Sequence, residues 1–326
     1  MTRASAGAGP MRTTAVPSAG LKITGPGDTG GVEPARLSTA RLKAWAGRHS
    51  RRGSGQLGGE MAGADRPGDD RGAEASRLWA NLRDVRSRIE AAARSAGRDP
   101  AELTLVAVSK TWPAADVVAL HALGVTHFAE NREQEAAPKV AEVQARLGST
   151  TGEGRPGTER PIWHYVGQLQ RNKANAVARW ADWVQCVDRP ELVTSLARAA
   201  AAAGRELTVC LQVSLDTPAA GLRRVGDSGA RGRGGAAPAD IPRLADLVAA
   251  AGGLRLAGVM AVAPRGEPPR PAFARLREVA ESLRTIYPPA HVISAGMSGD
   301  LEAAVAEGAT HLRIGTALFG ERLPVP

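Results

Sequence analysis

Cysteine is scarce, with Cys186 and Cys210 the only two among 326 residues. Both stand inside apolar, strand-like runs, and neither has metal-ligand spacing. Free, buried thiols in a reducing compartment follow; a disulfide scaffold or a thiolate metal centre does not. Aromatic residues make up only 3% of the chain, so no stacking platform for single-stranded nucleic acid is visible. Nor does any apolar run reach transmembrane length: the longest, Leu244–Ala263, is broken by Gly252, Gly253, Arg255 and Gly258. No membrane partner is expected, and a cytoplasmic location is. The net charge of +9 comes with Arg residues scattered from end to end. Beside the abundant Ala and Gly, that scatter reads as compositional bias, with a nucleic-acid partner as the weaker alternative.

The length suits one barrel-sized domain or two ordinary ones. Residues 1 to about 75 hold Gly, Ala, Ser, Arg and Pro without a sustained apolar period, which predicts a disordered extension. Its early arginines resemble a transit peptide, it lacks the apolar region of a secretory signal, and Met61 offers an internal alternative start. The ordered domain, 76–326, opens with Leu78, Leu82, Val85 and Ile89 at three- and four-residue steps, a helix that Gly97 ends. Strands are predicted at Leu103–Ser109, Val125–Ala129, Ile162–Val166, Trp183–Val187, Leu207–Val213, Leu254–Val262, His291–Ser294 and His311–Ile314. Helical patterns lie between them at Pro113–Leu123, Gln134–Leu147, Asn172–Trp180, Pro190–Gly204, Ile241–Ala251, Pro271–Ile286 and Ser298–Glu307, and a short turn follows at Thr316–Phe319. Gly148–Pro161 and Thr217–Pro238 read as Gly-rich loops. This alternation predicts a single (β/α)8 TIM barrel of the α/β class. An open doubly wound sheet is the rival, disfavoured because such sheets usually carry fewer strands.

In a (β/α)8 barrel the site lies at the C-terminal ends of the strands, with a phosphate often held by the loops after strands seven and eight. Lys110 closes the first predicted strand. A strand-end lysine is ordinarily solvated, but one held in a site loses its proton readily and can form a Schiff base. After strand seven comes Ser294-Ala295-Gly296-Met297-Ser298, and after strand eight Arg313-Ile314-Gly315-Thr316. Glycines permit close backbone approach, and exposed N–H groups favour an anion. Ser294, Ser298 and Thr316 add hydroxyls; the plainer reading makes Ser298 and Thr316 ordinary helix caps. An amine and an anion site at one mouth suggest pyridoxal 5′-phosphate (PLP), which also needs a partner for its ring nitrogen. Arg313 is that candidate partner, against the alternative of a surface ion pair. It cannot accept a proton, so the ring nitrogen would stay unprotonated and the ring a weaker electron sink. Asn131, ending strand two, is a neutral donor near the ring. His164, on strand three, is a candidate ligand or base, although a lone strand histidine is more often a satisfied core residue. Arg171 and Lys173 read as a solvated helix start.

Together these residues resemble the pyridoxal phosphate homeostasis protein family, related to the N-terminal barrel of alanine racemase. The matching pieces run in the family's order. They are Val108-Ser109-Lys110-Thr111, Glu130-Asn131, the run Trp163–Lys173, Gln185 through Arg189, Gln212-Val213-Ser214, Gly296-Met297-Ser298, and Arg313-Ile314-Gly315-Thr316 with Phe319-Gly320. They cover roughly Ser76 to Gly320, and the run Trp163–Lys173 is the most specific. Ala129, Gln168 and Ala295 depart from the family's usual residues, and Thr217–Pro238 is longer than its counterpart. The resemblance implies PLP held as a covalent Schiff base (aldimine) on Lys110. It also implies phosphate contacts from the Ser294–Ser298 and Gly315–Thr316 loops and a ring-nitrogen contact from Arg313.

Alanine racemase carries a second, β-rich domain that supplies a tyrosine acid/base. Here only Tyr165 and Tyr287 exist, and the sequence stops at Pro326. Racemisation needs a proton carrier on each face of the cofactor, and only Lys110 is evident. The expectation is therefore a protein that holds PLP and passes it to PLP-dependent apo-enzymes, without turnover of its own; the resemblance implies a monomer. A weak amino-acid racemase is the alternative.

Overall fold

The computed structural model describes residues 69–148, 160–216 and 234–321. Eight strands form a closed, all-parallel barrel in sequential order. They are β1 (Thr104–Val108), β2 (His127–Glu130), β3 (Ile162–Tyr165), β4 (Trp183–Val187), β5 (Leu207–Gln212), β6 (Leu254–Met260), β7 (Val292–Ser294) and β8 (His311–Ile314). The barrel shuts by pairing β1 with β8, Thr104 lying opposite His311 and Ala107 opposite Ile314. The α-helices among the described residues are α1 (Asp69–Ser95), α2 (Ala114–Ala122), α3 (Glu133–Gly148), α4 (Ala174–Ala178), α5 (Pro190–Ala203), α6 (Ile241–Ala250), α7 (Pro269–Ile286), α8 (Leu301–Ala306) and α9 (Thr316–Phe319).

The expected barrel is the one observed. Residues 1–68 of the expected extension, and the greater part of both expected loops (149–159 and 217–233), lie outside the described residues. Residues 69–75 were expected to be disordered and are instead the first turns of α1. The apolar stripe begins only at Leu78, so the preceding polar turns gave no periodic signal. The predicted helix Asn172–Trp180 is a 3-10 turn, Arg171–Lys173, followed by the short α4. Ser298–Glu307 shortens to α8, whose N-cap is Asp300. Cys186 and Cys210 are free and buried, and burial pushes both thiols up to about 12.

α1 precedes the first strand and packs against α2, α8 and α9. Leu78, Leu82, Val85 and Ile89 are all buried, each contributing roughly 1.5–3 kcal/mol. α5 starts at Pro190, where the missing N–H costs nothing, and ends at Gly204, whose φ of 60° suits a residue without Cβ.

Outward-facing strand residues pack under the helices. On β3, Trp163 meets Phe128 and Trp180 at centroid distances of 5.7 and 6.4 Å. The inward face differs from the branched aliphatic layers usual in such barrels. His164, Gln185, Ser294, His311 and Arg313, on β3, β4, β7 and β8, are all buried. The sheet thus encloses a polar column.

Candidate active-site mouth

Lys110 lies two residues beyond the end of β1 and is half-buried. In the pleat it shares a face with Val106 and Val108, which stand opposite His127 and Ala129 of β2. Continuing that register sets Lys110 beside Asn131. Among the described residues no hydrogen bond or ion pair holds its ammonium.

The residues on either side of Lys110 are fastened. The Ser109 hydroxyl donates to Glu130 Oε1 at 2.8 Å, and Lys139 Nζ donates to the Ser109 carbonyl at 2.8 Å. Lys139 also pairs with Glu130 at 2.7 Å and with Glu135 at 3.1 Å. The Thr111 N–H donates to Glu135 Oε1. Thr111 has φ 66°, a left-handed conformation that is costly for a β-branched residue. Burial raises the Glu130 carboxyl, opposed by its bonds to Lys139 and Ser109. Sequence reading missed Lys139 and Glu135. The signal was a lysine within the buried stripe of α3, between Ala136, Val140 and Val143.

Asn131 carries a buried amide oxygen that has no partner among the described residues. Gly167, after β3, closes on the Asn131 backbone so tightly that a Cβ there would stand 2.1 Å from the Asn131 carbonyl oxygen.

Both expected anion loops meet at the other side of the mouth. Gly296 is buried with φ 88°, and a Cβ on it would strike Ala304 Cβ at 2.7 Å. Its carbonyl accepts from the Arg313 N–H at 3.0 Å. Neither Ser298 nor Thr316 acts as the N-cap; the caps are Asp300 for α8 and Gly315 for α9. The Ser298 hydroxyl instead accepts from the Ala317 N–H at 3.1 Å, tying the two loops together. The N–H groups of Ser298, Gly315 and Thr316 donate to no acceptor among the described residues. A Cβ on Gly315 would lie 3.5 Å from the Val108 carbonyl oxygen, so this loop abuts the end of β1. Trp112, two residues after Lys110, stacks on Phe319 at 5.6 Å.

α1 braces the same rim. Arg77 reaches the Phe319 carbonyl and lies over the Trp112 ring. Asn81 donates to the Leu318 carbonyl at 2.8 Å, and Arg88 to the Ser298 carbonyl at 3.0 Å.

Three expected site residues belong to the column beneath. Arg313 is 5% exposed and donates to Ser294 Oγ and to the Ala261 carbonyl, both at 2.7 Å. Burial brings its guanidinium down to about 10, so at neutral pH it remains a cation that only donates. Ser294 is fully buried and bonded to Gln185 and Arg313, set apart from the free N–H groups of the loops. His164 is fully buried between His127 and Gln185, and has the geometry of the satisfied core histidine rather than that of a ligand. At the helix start after β3, Arg171 is exposed and Lys173 pairs with Glu133 at 3.4 Å.

Burial keeps His127, His164 and His311 neutral, with His311 down to about 3 and the other two below the ordinary value. Unfolded imidazoles titrate near 6.5, so from about pH 6.5 down to about 3 the unfolded chain binds more protons and stability falls with pH. Asp116 acts in the opposite sense: burial raises its carboxyl to about 6, so its protonation on the same descent favours the folded state. Glu130, also raised, joins it. With three imidazoles against two carboxyls, denaturant midpoints are expected to drop between pH 7.5 and pH 5. Asp116→Asn should steepen that drop. Midpoints that rise on acidification contradict this balance.

A closed barrel with an amine after its first strand and free N–H groups after its last two falls in the alanine racemase N-terminal domain class, whose family model matches residues 80–323. Curated relatives narrow this further. The pyridoxal phosphate homeostasis protein of Mycobacterium bovis is 42% identical over 253 residues, 76% of this chain and 93% of that protein. Its Escherichia coli K12 counterpart is 39% identical over 246 residues, 74% of this chain and 95% of the other. The chain belongs to the pyridoxal phosphate homeostasis protein family. Among solved structures, PipY of Synechococcus elongatus with PLP bound is 33% identical at a TM-score of 0.58, covering 74% of this chain and all of PipY. A D-threonine aldolase from Filomicrobium marinum, 19% identical at a TM-score of 0.54, shares the fold. No helix among the described residues is long and apolar enough to cross a membrane.

Proposed function

We propose that this chain binds PLP at the barrel mouth and keeps it available for intracellular vitamin B6 balance, without robust turnover. The carrying observation is Lys110: an ammonium with no partner among the described residues, on a fastened segment whose strand end abuts the Gly315 loop. Lys110 would hold the cofactor covalently. The N–H groups of Ser298, Gly315 and Thr316, joined by the Ser298–Ala317 bond, would receive the phosphate. The unpartnered Asn131 amide lies beside Lys110 in register and fits a polar ring substituent. Arg313 would face the ring nitrogen and, as a pure donor, keep it unprotonated. Bound PLP supplies an electron sink for carbanions, which such a contact weakens. Apo-enzymes in the cytoplasm are the expected recipients, and the protein is expected to work as a monomer.

Neither tyrosine supports the racemase alternative. Tyr287 donates to Asp246 at 2.5 Å, away from the mouth. The Tyr165 phenol is buried on the helix side of β3, beside Trp180, with burial pushing its pKa up.

Purified protein given PLP should turn yellow. Borohydride followed by peptide mapping should place the added mass on Lys110. Protein that stays colourless, or label spread over several surface lysines, overturns the reading. Rapid exchange of amino-acid α-protons with deuterated solvent would instead favour the racemase.

A further inference from the structure

We infer that Gln185, acting through Ser294, is a positioning residue for Arg313, and that His164 completes a hydrogen-bonded chain whose direction is fixed from the arginine downward. The reference to the cofactor rests on the reading above; the direction of the chain does not.

The chain crosses the barrel interior. Arg313 meets Ser294 Oγ at 2.7 Å, Ser294 Oγ meets Gln185 Oε1 at 2.7 Å, Gln185 Nε2 meets His164 Nδ1 at 2.7 Å, and His164 Nε2 meets His127 Nδ1 at 2.8 Å. A guanidinium only donates, so Ser294 Oγ accepts from Arg313. Its own proton then goes to Gln185 Oε1. The amide's other end must donate, so His164 Nδ1 accepts. His164 therefore carries its proton on Nε2 and gives that bond to His127 Nδ1. Each member's bonding is settled by the one above it.

The reversed amide fails on a simple count. With Gln185 Nε2 turned toward Ser294, the hydroxyl would accept from both neighbours, and its proton would have no acceptor among the described residues. A buried unsatisfied donor costs about 1–3 kcal/mol. In the orientation observed, none of Ser294, Gln185 and His164 leaves a buried side-chain polar atom unpaired. A cationic His164 would donate at both nitrogens and so force that reversal. Full burial and then the nearby Arg313 cation already oppose a charge on His164.

Gln185 thus touches no part of the mouth, yet it holds the serine that sets the arginine's plane. With Ser294 and the Ala261 carbonyl anchoring two guanidinium nitrogens, the remaining donors have a fixed direction.

The experiment reads both claims separately. Nitrogen-15 NMR of the imidazoles, on protein without PLP, should show His164 bare at Nδ1 and protonated at Nε2. Gln185→Glu, of nearly equal volume, offers acceptors at both ends and should move the His164 proton to Nδ1. With PLP, Ser294→Ala and Gln185→Leu should release cofactor on the order of tenfold faster and shift the pH midpoint of its absorption band. Ser294→Thr should restore wild-type behaviour in both. His164 protonated at Nδ1 in the wild type overturns the direction. Wild-type release and pH midpoint in both Ser294→Ala and Gln185→Leu overturn the positioning role. A wild type that takes up no PLP defeats the proposed function, while the NMR outcome still decides the chain's direction.

Discussion

Lys139→Met is expected to lower the unfolding free energy by about 3–5 kcal/mol, because it strands a carboxylate that cannot reach water. Glu130 is fully buried, and Lys139 is the cation that meets it at 2.7 Å. Its Oε2 has no hydrogen-bond partner among the described residues even with the lysine present. Removing both charges tells a different story. Glu130→Gln with Lys139→Met replaces the pair by a neutral amide and an apolar chain of similar length, and most of the loss should return, since desolvating an ion pair offsets much of its attraction. Urea titrations of the two single variants and the double variant give the coupling directly. A single-variant loss under about 1 kcal/mol would mean that Glu130 is already protonated and the pair is weak. The same substitution should weaken cofactor retention more than stability alone explains, because Lys139 also holds the Ser109 carbonyl. Glu135, the lysine's other partner, holds the Thr111 N–H.

Gly167→Ala is expected to be as damaging, by a different route. The added methyl would stand 2.1, 2.8 and 3.0 Å from the carbonyl oxygen, carbonyl carbon and Cα of Asn131. These are backbone atoms and cannot swing aside as a side chain would. The segments after β2 and β3 must separate, at a cost of roughly 3 kcal/mol or more, and Asn131 must leave its place beside Lys110. Both the thermal midpoint and PLP affinity should fall. Gly148→Ala is the control: nothing lies within 4 Å of a Cβ there, and it ends a helix where alanine is the better former. Equal midpoints for the two variants would show that the approach of Gly167 to Asn131 is not tight in solution.

The barrel was legible because each buried parallel strand is a short apolar run set off by Gly or Pro, and because helices alternate with them. Trp183–Val187 and His311–Ile314 needed no adjustment at either end. The mouth was partly legible: strand-end position and glycine chemistry point to Lys110, Gly296 and Gly315. The polar column was not. Strand position offers Ser294 as a ligand-facing hydroxyl and His164 as a ligand or a core histidine; period-two alternation turns both into the barrel, where β2 and β4 take up the His164 nitrogens and Ser294 meets Arg313 on β8 and, across the interior, Gln185 on β4. Gln185 shows why a single strand is insufficient. Flanked by Val184 and Cys186, it reads as a lone polar residue in an apolar run, and only barrel closure, which sets β7 across the interior from β4, reveals its bonds to His164 and Ser294. Lys139 was hidden for the same reason, its partners lying on β2 and in the segment after β1.

The pairing of β1 with β8 has a further consequence for how the molecule comes into being. Lys110 follows the first strand and the Gly315 loop follows the last, and the two segments meet only when that seam is sewn. A partly assembled barrel therefore offers no pocket, and a vitamin that lodges there selects completed molecules alone. Its grip is returned as resistance to unfolding of the whole ring rather than of one segment.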